Sequence, residues 1–511
     1  MPRIQRKVNF NFSNPWMAIF KFKFDTKIIS FLKQLKFCTY EPINKVWFVP
    51  ADLVDQISKF CVSIGYGVDI ERNYNIPTSV QTKSTIKLFD FQQAFIDEIR
   101  IKRRMICAFE TGLGKTITAI EALKQEGITD NILWISKRSL FDDLNMQFKK
   151  FKAPKITLVA WDNIPLDGKY YNAIIIDESH FAKYSAKTYK ASARYDNLKK
   201  LLFFQDYSTL VIGLSATPFP EGIFDVHGVA ELFWPGIFKS RWAFAYTYGE
   251  IEENEYGVVL KDINPAYADA LNNRISYYVK RQTKRGLPVP IVESFVYRIK
   301  NDIKDINFDT ISTKEVQAYL DYYRFDKIKY CIDTVRQILA KNSSPKLIVC
   351  FNVDIVKELS RELGLTYIVG ATPLKDRNRL LANEDTIVCS IECINEGYNS
   401  LMYASEIIYF QLSPKTKTVV QSLGRLVRIG SKHNIIKAHF IMMSDTVEEK
   451  LVIQVMRKLK AVVNIIGDST SEKSLISGLE LFDNEDDNFN ERINALQYWD
   501  LDGLVELEED D

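Results

Sequence analysis

Hydrophobic and polar residues repeat with different periods along the chain, and the changes of period divide it into four parts. Residues 1–79 combine strand-like alternation with two helical stretches, which predicts a small accessory α+β domain. Residues 80–293 and 294–468 repeat short apolar runs separated by helical stretches, a pattern typical of parallel sheets covered by helices. Residues 222–285 interrupt the first repeat and predict a mainly helical insertion. Residues 469–511 are acidic and predict a solvated tail, so the fold class is α/β with two tandem lobes.

The apolar runs give the expected strands of both lobes. In the first lobe these runs are Ile132–Ile135, Ile156–Ala160, Ala173–Ile176 and Leu210–Leu214. In the second lobe they are Lys346–Phe351, Thr366–Val369, Thr386–Ser390, Glu406–Phe410 and Lys437–Ile441. Open α/β sheets place their chemistry at the carboxyl ends of the strands, so polar residues directly after these runs are the first candidates for a site.

The composition narrows the class of protein without identifying a partner. The formal net charge is only +2, so no overall basic field indicates a polyanion, and any nucleic-acid surface must be local. The seven cysteines are scattered without CxxC pairs, which fits buried thiols in a reducing compartment. No segment has the pattern of a signal peptide or a membrane span. We therefore expect a cytoplasmic protein without membrane contact.

The stretch from Cys107 to Ile120 predicts a strand, a glycine-bearing loop and a helix. In such a loop the backbone N–H groups turn inward and hold phosphate oxygens at the positive end of the helix. Lys115 would reach the terminal phosphates, and the Thr116 hydroxyl would ligate Mg²⁺. The other loop residues expected around the phosphates are Thr111, Gly112, Leu113 and Gly114. Phe109 stands where the first glycine of this motif is expected, so the alternative is a glycine-rich turn that caps a helix.

An acidic pair, Asp177 and Glu178, directly follows one of the apolar runs. Asp177 would hold Mg²⁺ and Glu178 would polarise an attacking water, although acidic pairs in this position also serve as helix N-caps. Ser215 and Thr217 follow the next apolar run. They could hydrogen-bond to the acidic turn and relay the nucleotide state, or they could form an ordinary strand-to-turn exit.

Two arginines of the second lobe, Arg425 and Arg428, stand three residues apart and would share one face of a helix. Two guanidinium groups in that arrangement could clamp a γ-phosphate presented by the first lobe. Surface salt bridging is the alternative for this segment.

The order of these segments resembles that of superfamily 2 helicases and translocases, and within them the Swi/Snf-like group. The similar segments are Leu88–Gln93, Glu110–Ile120, Leu133–Leu140, Asp177–His180, Leu214–Pro218, Lys346–Asn352, Ser390–Asn399 and Gln421–Gly430. The segments Tyr277–Lys284 and Asp445–Lys450 are also similar to that group. The resemblance implies two RecA-like lobes that use ATP and Mg²⁺, with a nucleic-acid strand gripped alternately by the two lobes.

The resemblance also implies roles for single residues. Gln92 would read the adenine, Gly397 would join the nucleotide-binding residues, and Gln421 would couple nucleotide state to movement together with Ser215 and Thr217. The implied DNA contacts are Lys137, Ser139, Asn352 and Ser390.

The chain departs from the Swi/Snf-like pattern at several points. Ser215–Thr217 reads Ser-Ala-Thr, as in superfamily 2 generally, and the Gly-Gly-x-Gly expected near Gly397 is missing. The N-terminal part resembles the accessory domain of HARP-type annealing helicases and of phage branch-migration helicases. That likeness implies a DNA-junction reader in which Lys21, Lys23 and exposed aromatic residues contact phosphates and bases.

These features predict an ATP-dependent DNA helicase or translocase that acts on forked or four-way DNA by fork reversal or branch migration, in replication, recombination or repair. Two alternatives keep the same motor: a translocase that displaces or remodels protein on DNA, and an RNA helicase. A third is a nucleic-acid-binding protein with a relic nucleotide site. The sequence leaves the oligomeric state open, with a monomer as the simplest interpretation.

Overall fold

A computed structural model of the chain describes residues 6–73, 86–182, 191–219, 223–254, 257–283, 287, 290–303, 313–383, 385–395, 404–413, 416–427, 431–444, 446–448, 451 and 479–482. The chain forms two compact units. The first contains residues 1–110 and 114–282, and the second contains residues 111–113 and 283–511.

The first unit begins with a small mixed sheet and two helices. These elements are β1 (Lys7–Asn14), β2 (Met17–Lys21), α1 (Thr26–Gln34), β3 (Thr39–Glu41), β4 (Val46–Pro50), α2 (Val54–Ser63) and β5 (Gly67–Arg72). The strand order is β3-β4-β2-β1-β5, with β1 and β5 parallel and the other pairs antiparallel. Alternate residues of β1 and β2 face inward, and the Phe10 and Phe20 rings stack at 4.1 Å. The predicted α+β character of this part is confirmed.

The first lobe follows, with strands and helices in alternation. Its regular elements up to the insertion are α3 (Asp90–Lys102), β6 (Arg104–Phe109), α4 (Lys115–Gln125), β7 (Ile132–Ser136), α5 (Phe141–Lys150), β8 (Ile156–Ala160), β9 (Ala173–Asp177), α6 (Ala193–Phe203) and β10 (Leu210–Leu214). The four strands predicted from apolar runs are all present. They read as continuous apolar segments because helices cover the sheet on both faces.

The predicted insertion is helical only in part. It contains α7 (Ile223–Phe233), α8 (Arg241–Tyr248), β11 (Gly249–Asn254), β12 (Gly257–Ile263), α9 (Ala268–Ser276) and β13 (Val279–Gln282). β11 and β12 form an antiparallel hairpin, and β13 returns to the lobe and pairs in parallel with β6. The complete sheet has the order β13-β6-β10-β9-β7-β8, and its strands are all parallel.

The N-terminal sheet and the first lobe share one hydrophobic core. The Trp16 ring lies 4.5 Å from the Arg104 guanidinium at the start of β6 and meets Tyr207 edge to face at 5.3 Å. Phe37 packs against Phe238 of the insertion at 5.5 Å. The accessory domain is therefore packed into the first unit.

The second unit is another parallel α/β lobe. Its elements are β14 (Ile291–Ile299), α10 (Thr313–Tyr322), α11 (Arg324–Ala340), β15 (Lys346–Cys350), α12 (Val353–Leu363), β16 (Thr366–Ile368), α13 (Leu374–Asn383), β17 (Thr386–Ser390), α14 (Ile391–Asn395), β18 (Glu406–Tyr409), α15 (Thr416–Leu426), β19 (Ile435–Met443) and β20 (Leu479–Phe482). The strand order is β16-β17-β15-β18-β19-β14-β20, again all parallel. The predicted fold class of two parallel-sheet α/β lobes is confirmed.

Two strands of this sheet were not predicted. β14 lies across the boundary expected at residues 293 and 294, and β20 lies inside the segment expected to be a solvated tail. Leu479–Phe482 pairs with β14, so these four residues correct the prediction of a tail that is solvated throughout.

Candidate nucleotide-binding site

The candidate phosphate loop connects β6 to α4 at the carboxyl edge of the first sheet. Gly112 and Gly114 have φ of +91° and +80°, the left-handed region that favours glycine. A Cβ on Gly114 would also lie only 2.6 Å from Gln92 Nε2. Two independent features therefore favour glycine at position 114: the positive φ and the close approach of Gln92 in α3.

Lys115 begins the helix behind this loop. Its Nζ donates a hydrogen bond to the Phe109 carbonyl at 3.0 Å, so the ammonium group folds back over the loop. The Thr118 hydroxyl donates to the Gly114 carbonyl at 2.9 Å and ties the loop to the first turn of α4. Thr116, the predicted Mg²⁺ ligand, is the second residue of α4 and lies in this same turn.

Phe109 departs from the phosphate-loop motif because it is the last residue of β6. Its side chain is fully buried and meets the rings of Phe91 and Phe95 edge to face at 5.0 and 5.9 Å. Its side chain therefore belongs to the core between β6 and α3, and the loop needs no glycine there. The neighbouring Gln92 is also buried, and its Oε1 accepts a hydrogen bond from the Phe89 N–H at 3.0 Å.

The acidic pair lies at the same edge of the sheet, because β9 ends at Asp177 next to Leu214 of β10. Ser136, the last residue of β7, donates its hydroxyl to Asp177 Oδ2 at 2.8 Å, and the Trp161 indole donates to the Asp177 carbonyl at 3.2 Å. Burial and the Glu178 charge raise the pKa of Asp177 to about 6, against the lowering effects of the Ser136 hydrogen bond and the Lys115 charge. A cation bound to this carboxylate would stabilise its charged form and so lower its pKa.

Glu178 is held in an unusual backbone conformation, with φ of 50° and ψ of 54°. Its Oε2 lies 3.2 Å from His180 Nδ1, and the same nitrogen lies 2.9 Å from the Ser215 hydroxyl oxygen. The Thr217 backbone N–H donates to Ser215 Oγ at 3.2 Å. A continuous polar chain therefore connects Glu178 to the segment after β10, where Ser215 and Thr217 were predicted to act.

The candidate DNA contacts differ in accessibility. Lys137 and Ser139 are exposed, and Lys137 Nζ lies 4.7 Å from the centroid of the Phe181 ring. In the second unit, Asn352 Oδ1 accepts from the Asp354 N–H at 2.9 Å and its Nδ2 donates to Asp321 at 2.5 Å. Ser390 is buried at the end of β17. Of these four residues, the structure presents the first two at the surface.

Two of the remaining predicted residues, Gln421 and Arg425, lie on α15. Arg425 is partly buried in its last turn, and the backbone of Gln421 lies within the same helix. The Gln421 side chain, Arg428 and Gly397 lie outside what the structure describes.

Sequence reasoning missed Ser136, Trp161 and Phe181 as neighbours of the site. Ser136 ends an apolar strand in the same manner as Asp177, so its position was an available signal. Trp161 has no such signal, because it reaches the site through a tertiary contact, whereas Phe181 directly follows His180 in the chain.

Among the described residues, no group of three or more His, Cys, Asp or Glu side chains could hold a metal ion. The donors expected for Mg²⁺ are instead the Thr116 hydroxyl and the Asp177 carboxylate, hard oxygen ligands of the kind this ion prefers together with water and phosphate. None of the buried cysteines of the described residues forms a disulfide; they are Cys38, Cys61, Cys107, Cys331, Cys350, Cys389 and Cys393. None of the helices in the described ranges has the length and apolar character needed to cross a bilayer.

Comparison with known proteins finds similarity among solved structures. No protein-family model and no curated protein matches the sequence. A solved structure described as the Sulfolobus solfataricus SWI2/SNF2 ATPase core in complex with dsDNA is similar at 18% sequence identity and a TM-score of 0.35. The match covers 78% of this chain and 96% of that chain.

Proposed function

We propose that this protein is a DNA-dependent ATPase that translocates on branched DNA. The observation that carries the proposal is the convergence of Lys115, Asp177 and the Glu178–His180–Ser215 chain at one edge of the first sheet. Phosphoryl transfer needs mainly positioning and charge stabilisation, and these residues supply a phosphate-binding cation, a metal ligand and a carboxylate for water.

The residues present fit ATP with Mg²⁺. The left-handed glycines open the loop backbone, and the elevated pKa of Asp177 indicates a carboxylate with an unmet need for positive charge. Thr116 and Asp177 would hold Mg²⁺, which would neutralise charge on the phosphates. Lys115 would leave the Phe109 carbonyl for a phosphate oxygen, since a charged acceptor forms the stronger hydrogen bond.

Glu178 is the candidate to orient and polarise the attacking water. His180 Nδ1 lies beside both its carboxylate and the Ser215 hydroxyl, and so connects Glu178 to the segment after β10. Arg425 is proposed to stabilise charge on the transferred phosphoryl group, a role that rests on the sequence resemblance.

Branched DNA is proposed from the tip of the N-terminal sheet, defined as Lys21, Lys23, Phe24, Ile43 and Lys45. The end of β2 and the β3–β4 turn share one end of the sheet, because Phe20 pairs with Trp47 and Glu41 pairs with Val46. Phe24 is 83% exposed and Ile43 is 87% exposed, and the three lysines are exposed around them. Apolar side chains between cations suit unpaired bases next to phosphates.

The two nearest acidic side chains of the tip are already engaged. Glu41 accepts from the backbone N–H groups of Ile43 and Asn44 at 2.7 and 2.8 Å. Asp25 accepts from the Tyr66 hydroxyl at 2.8 Å and caps α1. These contacts hold both carboxylates in the local backbone and leave the lysines of the tip to face a phosphate chain.

The test is the steady-state ATPase rate at fixed salt with single-stranded, duplex, forked and four-way DNA and with RNA. Forked or four-way DNA is expected to stimulate most, and Lys115→Ala is expected to abolish turnover. Lys59→Ala is the matched control, because Lys59 is exposed and pairs with Asp55 in its own helix. Full turnover in Lys115→Ala would refute the site, and stimulation by RNA alone would refute the DNA assignment.

Tip variants test the branched-DNA part separately. Phe24→Ala with Ile43→Ala should reduce the preference for forked over duplex DNA by about tenfold, since one stacked base contributes roughly 1–3 kcal/mol. The ATPase rate on duplex DNA should stay unchanged. An equal loss on all DNA forms would show that the tip does not recognise junctions.

A further inference from the structure

The amino edge of the first sheet carries a surface that the proposed motor does not use. The candidate nucleotide site lies where β6, β9 and β10 end, whereas this surface lies where β8, β9 and β10 begin. Four lysines cluster in the short segment before β8, namely Lys149, Lys150, Lys152 and Lys155. All four are exposed, and no carboxylate in the described residues lies within ion-pair distance of them. The segment 149–155 contains no acidic residue.

Exposed aromatic rings continue from this cluster along the same edge. Tyr170 precedes β9 and is 63% exposed. Phe203, at the end of α6, is 82% exposed, and Phe204 and Tyr207 before β10 are each more than two-fifths exposed. Tyr170, Phe204 and Tyr207 lie in connections between elements, and Phe203 is the last residue of α6. The Tyr207 ring also meets the buried Trp16 ring edge to face at 5.3 Å, so Tyr207 is the ring least available to a ligand.

Hydrogen bonds join these connections into one continuous surface. The Lys155 N–H donates to the Thr129 carbonyl at 3.1 Å, next to the start of β7. The Asn131 side chain then donates to the Tyr170 carbonyl at 2.7 Å. Gln205, between Phe204 and Tyr207, donates to the Lys169 carbonyl at 3.0 Å. The surface therefore follows β8, β7, β9 and β10 in order, a width of about 14 Å at the usual strand spacing.

Most of the acidic side chains along this edge are held by local hydrogen bonds. Asp130 accepts from the Asn172 side chain at 3.1 Å. Asp167 accepts from the Lys169 N–H at 3.2 Å, and Asp206 accepts from the Ser208 N–H and hydroxyl. These carboxylates keep their charge, but none of them lies in the segment 149–155, where the four lysines are exposed and Lys150 Nζ lies 5.2 Å from the centroid of the Phe151 ring.

We propose that this amino-edge surface binds single-stranded nucleic acid, separately from the motor site. Exposed rings next to unpaired lysines combine the two features that hold a single strand without reading its sequence: stacking on bases and charge for phosphates. A protein partner would be expected to cover the rings but would leave the lysine cluster without a function. Binding at this surface would be a function additional to the proposed ATPase activity, because it would require no bound nucleotide.

The experiment measures binding of a fluorescent thymidine 20-mer by anisotropy across a range of salt. The variant replaces Lys149, Lys150, Lys152 and Lys155 by Gln. Four lost phosphate contacts should make the slope of log K against log salt shallower by about 3, from roughly 0.7 per contact on a single strand. The control replaces the exposed lysines Lys33, Lys59, Lys329 and Lys357 by Gln, which removes the same charge elsewhere.

A second measurement locates the strand directly. A 5-iodouracil oligonucleotide crosslinked by light should attach to peptides that contain Tyr170 or Phe203–Tyr207. Tyr170→Ala with Phe203→Ala should weaken binding about tenfold or more, with the melting temperature unchanged because both side chains are exposed. Crosslinks confined to other peptides, together with equal slopes for the lysine variant and its control, would overturn the proposal.

Three further outcomes separate this proposal from its rivals. In Lys115→Ala, turnover should be lost while oligonucleotide binding at this surface stays unchanged, so the two proposals fail independently. Binding to phosphatidylserine vesicles without binding to the oligonucleotide would replace it with a membrane surface. Self-association that Phe203→Ala abolishes, without oligonucleotide binding, would replace it with an interface between copies of the chain.

Discussion

The Arg274 guanidinium holds the Asp52 carboxylate by two hydrogen bonds, 2.5 Å from Nε and 3.2 Å from Nη2. The Tyr278 hydroxyl donates to the same carboxylate at 2.7 Å. Arg274 also lies against the rings of Phe37 and Phe238, at 4.6 and 4.8 Å. This buried cluster fastens the N-terminal sheet to the insertion of the first lobe.

Asp52→Ala should destabilise the first unit by about 3–5 kcal/mol, because it leaves a buried guanidinium without its counter-charge. The free energy of unfolding in urea is the measurement. Asp69→Ala is the control, since Asp69 pairs with Lys7 in solvent and should cost less than about 1 kcal/mol. Equal losses for the two variants would contradict the role of the buried pair.

Removal of residues 1–79 should likewise expose core surface and yield poorly soluble protein, so point variants are the proper test of the tip.

Asp177→Asn should abolish turnover and stabilise the protein above pH 6. Asp177 has a pKa of about 6 in the folded state, above its ordinary value, so the folded state binds the proton more tightly than the unfolded chain. The contribution of Asp177 to the free energy of unfolding is therefore largest at low pH, and it is lost as the pH rises toward about 6. Thermal melting of the nucleotide-free protein between pH 4 and pH 8 measures it. A fall in stability that persists in Asp177→Asn would assign the effect to another group.

Gly114→Ala should weaken nucleotide binding by tenfold or more. The new methyl group meets Gln92 Nε2 and the backbone must keep its φ of +80°. Gly168→Ala provides the matched control, because its φ is +72° and nothing lies within 4 Å of the added Cβ. Titration with a fluorescent ATP analogue compares the two variants. The proposed crowding at the loop requires that Gly114→Ala lose much more affinity for the analogue than Gly168→Ala loses.

Ser215→Ala should lower the ATPase kcat by about tenfold with little change in KM. It removes one hydrogen bond to His180, the neighbour of the carboxylate proposed to orient water, and such a bond is worth roughly 1–1.5 kcal/mol. Ser63→Ala, which removes an exposed hydroxyl bound to the Phe60 carbonyl, is the control. If the DNA-stimulated rate fell no more than the basal rate, the chain from Glu178 to Ser215 would hold the carboxylate without coupling it to DNA.

Arg425→Ala should reduce kcat by about 10³-fold or more, as expected for an arginine that stabilises the transferred phosphoryl group. Affinity for the fluorescent ATP analogue should change much less, because Lys115 and the loop remain. Lys357→Ala, an exposed position in the same unit, is the control. Loss of affinity equal to the loss of kcat would assign Arg425 to ground-state binding.

The parallel lobes could be predicted because central strands such as Ala173–Ile176 are buried on both faces and appear as unbroken apolar runs. The same reasoning located Asp177 and Ser215, which directly follow such strands. It missed β13 and β20, because edge strands with sequences such as Val279–Gln282 carry charged residues and lack that signature. The ion pair between Asp52 and Arg274 joins residues 222 positions apart, and no local pattern contains such a partnership.

The pairing of β13 with β6 also has a consequence for biosynthesis. The strand that leads into the candidate phosphate loop gains its outer neighbour only when Val279–Gln282 has left the ribosome, although its inner neighbour, β10, is encoded earlier. A nascent chain that ends within the insertion therefore exposes an open edge beside the loop, a site where other strands can add. Cotranslational assembly of the first unit is complete only after the hairpin and α9 have been made.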